Sequence, residues 1–117
     1  SSSLGCMKKS DIKYIFNLLI NNSFTKSYNS MNDMIYKNSI SLMDIITPIY
    51  EIIFNMIFYK KDFNGILFDD NLSLKLISDL SMIEYNSFSS IYDNVQILSV
   101  IGLFNLYKNE IEKYVSQ

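Results

Sequence analysis

The chain has 117 residues and a formal net charge of −2, with 49% hydrophobic and 19% charged residues, and it contains no His, no Arg, no Ala and a single Cys, Cys6. That length suits one compact domain with its own core, and the composition excludes a disordered, collagenous or disulfide-knotted chain. Without His and with one thiol it cannot supply a His/Cys zinc cage, a Ser–His or Cys–His nucleophile pair or an internal disulfide, and scattered Lys in an acidic chain argue against a nucleic-acid groove.

Residues 1–8, opening with Ser1 to Ser3, read as linker or vector-derived sequence, and residues 9–117 as one helical domain. Ser10 and Asp11 mark a helix start, followed by Ile12, Ile15, Phe16, Leu19 and Ile20 at the spacing of an amphipathic helix. Asn21 to Ser23 ends it. Ser23 can cap a second helix with Phe24, Tyr28, Met31 and Ile35 on one face, closing at Lys37 and Asn38, with Asn38 as a left-handed cap. Ser41 and Asp44 have the spacing of a capping box and open a third stripe of Ile45, Ile46, Ile49, Ile53, Met56 and Ile57. The stripe runs through Pro48, which predicts one long helix with an interior, kinking proline.

From Lys60 to Asn71 the helical period lapses, which predicts a solvated loop. A calcium-loop reading from Asp62 puts Leu67 where Gly is needed and Ser73 where Glu is needed. A fourth helix, capped near Asn71 or Ser73, carries Leu76, Ile77, Leu80 and Ile83. Asp93 with Gln96 then opens a last helix through Ile97, Leu98, Ile101, Phe104 and Ile111. The reading is therefore an all-α, compact five-helix bundle. Its expected core is Ile15, Phe16, Leu19, Phe24, Met31, Ile49, Ile53, Leu76, Leu80, Ile83, Leu98 and Ile101.

Ile (18), Ser (17) and Asn (13) are inflated, the mark of an AT-rich genome. Helices built without Ala lose roughly 0.4–0.7 kcal/mol per position when Ile, Ser or Asn stands instead, so packing must make up the difference. The longest uncharged run, Asn94 to Tyr107, is fourteen residues, short of a bilayer span, so no membrane partner is expected. The unpaired Cys6 points to a reducing compartment. The three glycines, Gly5, Gly65 and Gly102, lie too far apart to cradle phosphate, and Asp11, Asp44, Glu51, Asp79 and Glu84 all read as caps or polar-face residues. No catalytic, cofactor or metal residues are expected. Gly102, inside a strong helix, suggests a close helix crossing.

With 17 Tyr and Phe together, the chain carries more aromatic side chains than a core needs, and Tyr50, Tyr59, Tyr92, Tyr107 and Tyr114 lie outside or at the edge of the stripes. The last helix is apolar on more than one side, Val100, Leu103, Leu106 and Tyr107 adding to Ile97, Ile101 and Phe104. Val100, Leu103, Tyr107 and Tyr114 are accordingly the candidate interface, and an isolated domain is expected to self-associate through them.

In order and spacing these segments resemble the C-terminal collar domain of the small subunits of replication factor C, the eukaryotic sliding-clamp loader. The resemblance begins at Lys9, Ser10, Asp11 and Ile12, continues through Asn22, Ser23, Phe24 and Tyr28, and then Leu42 to Ile46. Ile83, Glu84 and Tyr85 follow, then Gln96, Ile97, Val100, Ile101 and Phe104, so that it covers Lys9 to Tyr114. Asn86 stands where that family has Arg after Glu–Tyr, and Ser90 where it has Gly. The resemblance implies ATP-binding AAA+ modules earlier in the natural polypeptide and a non-catalytic, cofactor-free oligomerisation role for this segment. It further implies other replication factor C subunits as partners, the sliding clamp and primer-template DNA only through the full complex, and a nuclear location. The alternative from the residues is a stand-alone helical adaptor that binds an amphipathic peptide in a groove.

Overall fold

The computed structural model describes residues 7–87 and 93–115. Among them, α1 (Lys9–Ile20), α2 (Phe24–Tyr36), α3 (Leu42–Phe58), α4 (Asp70–Ser87), α5 (Asp93–Leu106) and α6 (Lys108–Val115) follow in order. The fold is all-α, but the helices number six among the described residues, not five, because the segment read as one terminal helix breaks at Tyr107. Phe104 and Ile111 stand two helical turns apart, so the apolar period runs straight through the break, and neither Gly nor Pro marks it. Tertiary contacts hold it instead. The Tyr107 hydroxyl donates to Asp79 Oδ2 at 2.8 Å, and the redirected α6 packs on α1 and α5, burying Ile111.

The helix ends show how the sequence encodes the path. Asn22 takes a left-handed φ of 56° after α1, the Ser23 N–H bonds to Leu18 O and the Asn22 N–H to Leu19 O, which together form a Schellman cap with Asn in glycine's place. After α2 the left-handed residue is Ser39 and not Asn38, with the Ile40 N–H reaching back to Met34 O. The capping box is present: the Asp44 N–H donates to Ser41 Oγ at 3.1 Å and the Ser41 N–H to Asp44 Oδ2 at 3.3 Å. From it α3 runs unbroken through Pro48. Asp69 caps α4, accepting from the Leu72 N–H at 2.8 Å, slightly earlier than the expected Asn71 or Ser73.

The segment between α3 and α4 is the largely exposed loop expected, but Phe63 and Phe68 anchor it in the core. Phe63 and Ile66 exchange backbone hydrogen bonds of 2.8 Å around Asn64 (φ 50°) and Gly65 (φ 83°), a two-residue turn of the Asn-Gly type. The turn points Phe63 inward, edge-on to Phe16 with ring centroids 4.7 Å apart, and Phe68 is buried further along. Phe16 also meets Phe104 edge-on at 6.1 Å, so these three rings tie α1, the turn and α5 together.

Ten of the twelve expected core residues are buried; Phe24 and Leu98 are not. Phe24 is 54% exposed because α2 turns Ser27, Met31 and Met34 inward. That row is rotated from the one through Phe24, and the small Ser27 sits beside Leu19 and Ile101. Leu98 faces out because α5 is apolar on every side and its neighbours enclose the Ile97, Val100, Ile101 and Phe104 side. No helix among the described residues is long and apolar enough to cross a membrane.

Candidate interaction surface

The four candidate interface residues separate into two kinds. Val100 is fully enclosed and Leu103 only 6% exposed, so both pack into the chain's own core. Tyr107 and Tyr114 are half-buried, their rings packed against the core and their hydroxyls engaged. Tyr114 sets its ring edge against Phe68, centroids 5.2 Å apart, and its hydroxyl accepts the Asp69 N–H at 3.1 Å. Tyr107 stands in a polar brace between α4 and α6: besides its bond to Asp79, its ring lies 5.8 Å from Lys75 Nζ, which pairs with Glu110 at 3.4 Å. Its hydroxyl titrates above the usual tyrosine range, first because Asp79 accepts its proton in a hydrogen bond, then because of burial and the charges of Asp79 and Glu110.

What α5 presents outward is a different row. Val95, Leu98, Gly102 and Leu106 follow at helical spacing, the three apolar side chains being 55%, 44% and 70% exposed. The Ser99 hydroxyl beside them donates to Val95 O at 3.0 Å, so it turns into its own helix and not outward. Gly102 does not sit at a helix crossing within the chain: a Cβ placed on it meets nothing within 4 Å. Spacing alone could not select this row, because an all-round apolar helix gives the same signal on every face.

A second exposed surface runs along α3. Tyr50 stacks on Phe54 with centroids 6.2 Å apart, Phe54 meets Phe58 at 4.3 Å, and Tyr59 stands exposed at the helix end. Tyr50 and Tyr59 were legible as aromatic positions off the stripe; Tyr92 lies outside the described residues. Phe54 and Phe58 also lie off the expected stripe, and both are exposed.

A cleft of about 400 Å³ opens between α1, α3 and the Asn64 turn. Lys9, Lys13, Glu51, Lys61 and Asp62 line it together with Ile12, Pro48, Ile52 and Phe63, so its wall mixes charged and apolar side chains. Among the described residues no group of three or more His, Cys, Asp or Glu is placed to hold a metal ion.

Residues 7–102 match the family model described as the replication factor C C-terminal domain, a non-catalytic module. A Dictyostelium discoideum protein named "Probable replication factor C subunit 5" is 28% identical over 101 residues, 86% of this chain and 26% of that protein. "Replication factor C subunit 3" of Oryza sativa subsp. japonica is 30% identical over 94 residues, 80% of this chain and 23% of that protein. The chain thus spans about a quarter of the length of the curated relatives it matches. No solved structure matches it significantly.

Proposed function

The chain belongs to the replication factor C C-terminal domain family, and we propose that it is the collar domain of a clamp-loader small subunit. In this reading residues 1–8 link it to ATP-binding modules of the same polypeptide, and its work is assembly and not chemistry. Its partners are the collar domains of the other replication factor C subunits, in the nucleus, and it reaches the sliding clamp and primer-template DNA only through the complex they form.

The observation that carries the reading is α5. It is the central helix, packed on α1, α2, α3, α4 and α6, and yet a row of apolar side chains remains on its outer side. A helix that contacts every other element and still offers Val95, Leu98 and Leu106 to solvent suits a domain that is covered by something outside the chain. The interface is then the α5–α6 segment. Val95, Leu98, Leu106 and the accessible part of Tyr107 make the contact, Val100 and Leu103 back it from the core, and Tyr107 and Tyr114 fix the angle of α6.

The test is to carry Leu98→Glu in the full-length protein and recover it together with the other loader subunits. Loss of those subunits with an unchanged melting temperature supports the assignment. Full recovery of the subunits would remove the α5 face from the interface.

A further inference from the structure

Gly102 stands in the middle of α5, exposed and with open space where its side chain would be, and nothing in the fold requires a glycine there. Its φ is not left-handed and no backbone of this chain approaches it. Glycine is the poorest helix former after proline, so its presence works against the domain that contains it. On either side along the helix stand Leu98 and Leu106, with Val95 one turn further back, so the glycine forms a notch in an apolar row.

Resting on the assignment of the chain as a clamp-loader subunit, we propose that a single helix of a neighbouring subunit's C-terminal domain crosses α5 at Gly102, its backbone close against the notch and flanked by Leu98 and Leu106. The row spans about 17 Å from Val95 to Leu106 at the helical rise, the length of one helix crossing and not of a broad sheet or a wrapped peptide. Interaxial distance depends on the side chains at the contact point, and a glycine there permits the closest approach.

The chemistry of the row selects the occupant. From Asn94 to Tyr107 there is no charged residue, so neither a phosphate backbone nor an anionic lipid surface finds a cation on α5. An apolar partner helix needs none. Both relatives, from two different organisms, are named as numbered subunits of replication factor C, and a further subunit's homologous helical domain has the apolar chemistry that this row calls for. The notch is also continuous with the α5 face already assigned to that contact.

The consequence is an opposition between stability and assembly that a purely structural glycine would not show. In the full-length protein, co-expressed with the other loader subunits, Gly102→Ala and Gly102→Leu should each raise the melting temperature of the protein. Both extend helical propensity into open space. Retention of the neighbouring subunits should fall in the order Gly, Ala, Leu, with at least a tenfold weakening for Gly102→Leu. If both variants bind like the natural protein, the crossing at Gly102 is wrong while the wider assignment stands. If either variant melts lower, Gly102 is used inside the chain and the inference is equally overturned. If even the unaltered protein retains no loader subunits, the assignment itself fails and takes the crossing with it.

Discussion

Tyr107→Phe removes one oxygen from the point between α5 and α6, and so tests why the terminal segment forms two helices and not one. The lost bond is the 2.8 Å hydroxyl contact to Asp79. A hydrogen bond to a charged acceptor contributes about 1.5–3 kcal/mol when enclosed, but Tyr107 is half-buried and water can replace the phenol at Asp79, so the expected loss is about 1 kcal/mol. For a domain of this size that lowers the melting temperature by about 3–5 °C. The contact also has a pH signature. The folded Tyr107 pKa lies above its unfolded value, chiefly because Asp79 accepts the phenol proton, so the stabilisation is fully present below pH about 10 and is lost as pH rises through the folded value. Urea unfolding of natural and Tyr107→Phe protein at neutral pH and above pH 10 should show a gap that closes on the alkaline side, the other tyrosines titrating equally in both. Identical midpoints at neutral pH, or a gap that does not change with pH, would refute the role given to this hydroxyl.

Leu80, fully buried in α4, should cost about 2–5 kcal/mol when changed to Ala, measured by denaturant unfolding. Ser73→Ala should be neutral or raise stability by up to about 1 kcal/mol, since the Ser73 hydroxyl is buried with no partner and its removal lifts a desolvation cost. Gly65→Ala should destabilise by about 1–2 kcal/mol, because a φ of 83° is strained for any residue with a Cβ, and the loss should appear as a lower melting temperature.

Much of this fold is written locally. The start of α3 is set by Ser41 and Asp44, and the end of α1 by Asn22, each acting through bonds to residues a few positions away. The Asn64–Gly65 turn is also a local signal, but its flanks are too short for alternation to register, and only Phe16 in the folded chain gives Phe63 a place to go. The break at Tyr107 was not legible, because its cause is Asp79, 28 positions away. The outward face of α5 was hidden for a related reason. When every side of a helix is apolar, which side is buried depends on where the other helices lie, and Leu98 and Ile101 differ in nothing the sequence can express. Tyr50 and Tyr59 could be singled out because they depart from a stripe, whereas Val95 and Leu106 could not be separated from their buried neighbours.

As proposed, this chain is one collar domain assembled with homologous clamp-loader subunits. Native mass spectrometry of the natural full-length protein, recovered through an affinity tag at its endogenous level, tests it directly. The expected result is an assembly that contains this protein together with other replication factor C subunits. A monomer, a homo-oligomer of this protein alone, or a complex holding no other replication factor C subunit would contradict it.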